Sequence, residues 1–170
     1  MSDYKVQKVN KPPIDELVSK LTDIDMRNGL YHLLEFTNSI KMKPQWYAAN
    51  SYNFNFKGKR VFRLRVNPYK TVKMDGVPYS VGMYLYLSDW SDINYFLHNQ
   101  SDDFVKSFID YMPRCRSCYT CAPGFTVSVR ENVAENICKN AAINFIDPTP
   151  DKIEYGKRLI ELQRAFLKTE

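Results

Sequence analysis

The four cysteines offer the most chemistry in this chain. Cys115, Cys118 and Cys121 stand three residues apart, and Cys138 follows after sixteen more. Three thiols so close converge when a tight turn aims them inward, and Pro113 before them and Ala122-Pro123-Gly124 after them favour such a turn. A fourth thiol from the far arm of a hairpin would complete the tetrahedral set of a structural zinc site, with no open position for catalysis. Zinc is therefore the expected cofactor. An iron–sulfur cluster is the alternative, since three close cysteines and a remote one also suit a cubane. Dithiol redox chemistry and unliganded thiols stay open. In a reducing compartment clustered thiols point to metal rather than to disulfides.

A second pattern concerns charge. Nine basic residues and no acidic one lie from Lys41 to Lys73, interleaved with Trp46, Tyr47, Tyr52, Phe54, Phe56, Phe62 and Tyr69. Cationic side chains beside stackable rings suit an anionic or aromatic ligand, nucleic acid among them. The expected ligand-binding residues are Trp46, Tyr47, Lys57, Arg63, Arg65, Tyr84 and Tyr86. The competing reading is a solvated sheet face balanced by acids elsewhere, or a protein interface rich in tyrosine.

Catalytic signatures are scarce. His32 lies in an apolar helical stretch and His98 near a helix end, beside Asn99 and Gln100. No nucleophile elbow, phosphate loop, dinucleotide fingerprint or His-Glu-x-x-His occurs. A binding role is expected rather than an enzyme, and no catalytic residue is assigned.

The elements that would position these groups follow from periodicity. Ile14, Leu17, Val18 and Leu21 recur at helical spacing after Pro12-Pro13, and Leu30, Leu33, Leu34, Phe36 and Ile40 mark a second helix ending before Pro44. The period then changes to two. Tyr52, Phe54 and Phe56 alternate with polar residues, the chain turns near Gly58, and Phe62, Leu64 and Val66 alternate on the return. A third strand places Val81, Met83, Leu85 and Leu87 inward and Tyr84 and Tyr86 outward. If these strands are neighbours, Asn53, Asn55, Lys57, Arg63, Arg65, Tyr84 and Tyr86 share an outer face. Helices are expected over Asp92–His98 and Asp102–Met112, the latter capped by Ser101. Phe125–Arg130 reads as a strand, paired across Cys138 with Ala142–Ile146. Thr149-Pro150-Asp151 then starts a final helix.

Residues 1–112 are expected to form an α+β body, and 113–170 a cysteine-rich subdomain with a C-terminal helix packed on it, within one compact domain. The fold class expected is two-layer α+β, an antiparallel sheet with helices on one face, its C-terminal hairpin and helix stapled by the four-cysteine metal site. The 170 residues, 44% apolar and 14% aromatic, suffice for one core and argue against disorder. No apolar run approaches the roughly 18 residues of a membrane span, and Met1–Lys11 lacks the apolar stretch of a signal peptide. A soluble, cytoplasmic protein that avoids membranes is expected.

Residues 114–164, with Cys-x2-Cys-x2-Cys, the lone Cys138, Ile143-Asn144-Phe145 and Pro148 before an amphipathic helix, resemble the C-terminal part of uncharacterised small clostridial proteins. That resemblance brings no function with it. Met42–Val66, with Pro44-Gln45-Trp46-Tyr47 and Lys57-Gly58-Lys59-Arg60-Val61, is similar to YdhG-like, frataxin-like bacterial proteins. This second resemblance implies a two-layer α+β domain and, as a further alternative, an iron-handling role.

Overall fold

The computed structural model describes residues 3–70, 72–86, 97, 99–115, 124–138 and 142–169. Three helices come first: α1 (Asp3–Asn10), α2 (Ile14–Val18) and α3 (Ile24–Ser39). The leader before Pro12 is thus helical, although it lacks an apolar stripe. A pair of amide contacts ties it down. Gln7 Nε2 donates to Asn50 Oδ1 at 2.6 Å, and the Asn50 backbone N–H donates to Gln7 Oε1 at 2.7 Å. In α3 the Asp23 carboxylate caps the helix by accepting from the Met26 N–H at 2.9 Å. Met26, Leu30, Leu33 and Thr37 then form its buried stripe.

The main sheet joins β1 (Pro44–Ala48), β2 (Ser51–Phe56), β3 (Lys59–Val66), β6 (Val81–Leu85) and β9 (Ile143–Ile146), in the order β1-β2-β3-β6-β9. Every neighbouring pair is antiparallel. β2 and β3 are joined through Lys57 and Gly58, both at positive φ (47° and 78°), the twist that a tight hairpin requires. The same device, with Asp75 and Gly76 at 49° and 84°, joins the short strands β4 (Lys73–Met74) and β5 (Val77–Pro78).

One face of the sheet is the core. Tyr52, Phe54, Phe62, Leu64, Met83, Leu85, Ile143 and Phe145 are all buried. Phe54 and Phe62 stack with centroids 4.1 Å apart across the β2–β3 pair. The helix α5 (Pro150–Thr169) lies against β3 and β6, and Gly156 lets its backbone approach the end of the Met83 side chain. The helix α4 (Asp102–Tyr111) joins this layer through an aromatic cluster. Its Phe104 and Tyr111 lie 4.7 Å and 5.4 Å from Tyr155 of α5, and Tyr111 lies 4.9 Å from Phe145 of β9. Ser101 caps α4, as its sequence signature predicts. The mixed α+β fold with an antiparallel sheet and packed helices agrees with the expected class.

The pairing of the last strands does not. Phe125–Val129 (β7) pairs with Asn132–Ile137 (β8), not with residues 142–146. The cause is local: Arg130 adopts a positive φ of 54°, which turns the chain at once into the neighbouring strand. Ile143–Ile146 is thereby free to form the edge of the main sheet beside β6. The helix expected over 92–98 and the end of the third strand at Leu87 fall largely outside the described residues.

The cysteine staple is also corrected. Among the described residues, no group of three or more His, Cys, Asp or Glu side chains is placed to hold a metal ion. Cys118 and Cys121 lie outside those residues. Cys115 and Cys138 are free thiols in extended backbone on either side of a ladder. The Cys115 N–H donates to the Asn136 carbonyl at 2.6 Å and the Cys138 N–H to that of Pro113 at 2.8 Å. Cys115 thus follows an antiparallel bridge between Arg114 and Ile137 and is buried as a small apolar side chain. The hairpin is fixed instead by Val127, Val129, Ala134 and Ile137, all buried, with β8 packed on α4. Arg130 adds an ion pair with Asp102 at the start of α4.

Candidate functional site

The other face of the main sheet carries the functional candidates, and cross-strand register assembles them. Gln45, Asn53, Arg63, Tyr84 and Asn144 form one row across the five strands. In the next row Arg65 stands between Ser51 and Gly82. Directly opposed residues share a face, so these side chains lie opposite the core.

A third arginine reaches this face through an irregularity. Phe54 pairs with Phe62, but Asn55 pairs with Arg60, so Val61 is an extra residue in β3. Strict alternation would send Arg60 to the helix side. The bulge restores it to the outer side, since a bulge re-aims the residues beyond it. Its guanidinium lies 3.7 Å from the centroid of the Tyr86 ring. Arg63 lies 5.9 Å from the same ring and 3.9 Å from that of Tyr47. Tyr47, Arg63, Tyr86 and Arg60 thus alternate in a stack across the sheet.

Neutral groups hold two of the guanidiniums in place. Arg63 Nε donates to Asn53 Oδ1 at 2.9 Å. Arg65 Nε donates to Ser51 Oγ at 2.9 Å, and its Nη1 donates to the Tyr79 hydroxyl at 3.3 Å. The Tyr79 hydroxyl is hydrogen-bonded in turn to that of Tyr84, 3.1 Å away. Burial pushes the Tyr84 phenol well above its usual range, with Tyr79 adding to the shift and Arg65 opposing it. Tyr84 therefore stays protonated and neutral at physiological pH.

Among the described residues, no carboxylate pairs with Arg60, Arg63 or Arg65. The ion pairs among the described residues are Lys20–Glu16, His32–Glu35, Arg130–Asp102 and Lys157–Glu154, none of them on this face. Arg63 and Arg65 are half-buried and Arg60 is exposed. Each of Arg60, Arg63 and Arg65 keeps at least one terminal Nη group without an acceptor among the described residues. A guanidinium anchored through its ring contact and its Nε still presents donors in the fork geometry that matches phosphate and carboxylate.

The sequence candidates divide accordingly. Tyr47, Arg63, Arg65, Tyr84 and Tyr86 come together on the outer face. Trp46 pairs with buried Tyr52 and packs on the core side, because neighbouring residues of a strand point to opposite faces. Lys57 is exposed in the β2–β3 turn. Arg60, Ser51, Tyr79 and Gly82 were not singled out from sequence. Arg60 follows apolar alternation only once the bulge is known, and the other three carry no chemical signature by themselves.

Other features of the surface carry less. An open groove of about 330 Å³ runs between α1 and α2, past Gln7, Pro12, Glu16, Lys20 and Tyr69, but Glu16 and Lys20 pair with each other at 2.7 Å. His32 is exposed on α3 beside Glu35. His98 lies outside the described residues.

The metal readings are withdrawn. Zinc, an iron–sulfur cluster and carboxylate-held iron each need converging ligands, and the described residues hold no such group. No helix among the described residues is long and apolar enough to cross a membrane. No family model matches the chain, and neither a curated protein nor a solved structure matches it. The resemblances to the clostridial and to the YdhG-like, frataxin-like proteins therefore gain no support as a family assignment.

Proposed function

We propose that the protein is a binding protein whose outer sheet face receives an anionic ligand. The observation that carries this reading is the set Arg60, Arg63 and Arg65 on one face, none paired to a carboxylate among the described residues. Holding half-buried guanidiniums without a counter-charge costs stability unless an anion supplies it. Ring stacking and the bonds to Asn53 and Ser51 fix the side chains before any ligand arrives, which lowers the entropy cost of binding. The primary recognition is of an anion, because three guanidinium groups define the face and two of them, from Arg60 and Arg63, lie against the Tyr86 ring. Binding rather than catalysis is proposed, since among the described residues no histidine or carboxylate stands beside the arginines to act as a base.

Inorganic tripolyphosphate, titrated calorimetrically at low salt, tests the reading. Binding is expected to weaken about tenfold or more in Arg63→Gln/Arg65→Gln, as charge-assisted contacts of about 1.5–3 kcal/mol are lost. Arg60→Gln, at an exposed position, serves as the variant that leaves the fold untouched. Equal affinity in all three proteins, or none in the wild type, would overturn the proposal.

A further inference from the structure

We infer that the anion is an extended single strand of nucleic acid lying along β3; the inference rests on the anion-binding reading above. The first argument is length. Arg60 and Arg65 stand about 14 Å apart along the strand, the rise of the four steps between their partners Asn55 and Ser51, with Arg63 between them. One phosphate or carboxylate reaches one such fork, or two at most. Three arginines in succession on one strand fit a linear polyanion with several charges better than a single anion. The backbones of Arg63 and Arg65, two residues apart, stand about 6.8 Å apart along the strand, a spacing of the order that an extended phosphodiester backbone spans between neighbouring phosphates.

The second argument separates nucleic acid from a uniform polyphosphate. The arginine line is flanked by neutral groups: the Asn53 and Asn55 amides on β2, and Asn144 on β9. Uncharged donors and acceptors beside a cationic track suit sugars and base edges, which polyphosphate lacks. Tyr47 is stacked by Arg63 yet remains 53% exposed, enough surface to serve as a platform for a base.

Fluorescence anisotropy with labelled dT12, labelled dT3, a labelled dT12·dA12 duplex and tripolyphosphate as competitor tests this. The expected order has dT12 tightest, by about tenfold or more over dT3, because linked contacts raise the effective concentration of each. Three phosphate contacts on a single strand predict a log K against log salt slope of about −2, and each of Arg60→Gln, Arg63→Gln and Arg65→Gln should make it shallower by about 0.7. If tripolyphosphate binds through Arg63 and Arg65 as tightly as dT12, the strand inference falls and the anion site stands. A duplex preference also overturns the single-strand assignment. If nothing binds, both fall.

Discussion

The ring of Tyr84 lies back over Gly82 of its own strand, so that a Cβ on residue 82 would stand 2.7 Å from the Tyr84 hydroxyl oxygen. Gly82 is therefore the notch that lets Tyr84 reach Tyr79 and, through it, Arg65. Gly82→Ala is expected to displace the ring and cost about 1–3 kcal/mol, the range for overpacking in a filled space. Tyr84→Phe keeps the ring and loses only a hydrogen bond, about 1 kcal/mol. Urea unfolding of both variants checks the order; equal stability of Gly82→Ala and wild type would refute the notch.

Gly156→Ala sets two effects against each other. Alanine gains about 1 kcal/mol over glycine in a helix interior. Its Cβ would collide with the terminal methyl of the fully buried Met83, which would have to repack within the core. Overpacking costs about 1–3 kcal/mol, so a net loss of stability is expected. Trimming the obstacle with Met83→Ala should make the alanine at 156 favourable in that background. A double-mutant cycle by chemical denaturation reads the sign change.

Asp147 ties β9 to the start of β6. Its Oδ1 accepts from the backbone N–H groups of Ser80 and Val81, each at 2.8 Å. Asp147→Ala leaves both donors unsatisfied and should cost about 2–3 kcal/mol. Asp147→Asn keeps an acceptor and tolerates the positive φ of 42° at this position, so it should cost less than half as much. Thermal unfolding of the two variants distinguishes a hydrogen-bonded latch from mere packing.

Alkaline pH should loosen the fold through Tyr52. Burial, with Glu16 and Asp15 nearby, pushes its phenol from 10.0 up to about 12, and its hydroxyl donates to the Pro12 carbonyl at 2.5 Å. The folded state then holds this proton more tightly than the unfolded chain. Its contribution is full below pH 10 and is lost as pH rises from 10 through 12. The slope is about 1.4 kcal/mol per pH unit for one such phenol. Tyr155 and Tyr84 shift in the same direction and add to the effect. Urea unfolding from pH 8 to 11 should show the decline, shallower in Tyr52→Phe; parallel curves for the two proteins would contradict it.

Much of the outer face was legible before any coordinates. Alternation in 52–56 and 61–66 assigned Asn53, Arg63 and Arg65 to the side away from the apolar residues, and Gly58 marked the hairpin that brings them together. Tyr84 and Tyr86 followed by the same period. Trp46 did not, because its strand lies where helix-breaking Pro44 obscures the alternation. Arg60 was hidden by one extra residue, Val61, whose bulge reverses the phase of everything before it. The cysteines misled for a related reason: close spacing in sequence does not by itself make ligands converge, and among the described residues no metal-binding group forms.

Local interactions were written in the chain itself. Helix caps at Asp23 and Ser101, the glycine turns at Gly58 and Gly76, and the change of period from helix to strand all act over a few residues, so their physics is present in any short window. What only tertiary structure decided was non-local: that β7 turns back on β8, that β9 closes the edge beside β6, and that Cys115 and Cys138 serve packing and pairing. Those outcomes depend on which strands share register and which faces are buried together, energies that arise only when distant segments meet. The site on β3 belongs to both. Arg63 and Arg65 are assigned to it by sequence period, Arg60 only by the bulge at Val61, and the three are held there by rings, an amide and hydroxyls from neighbouring strands and turns.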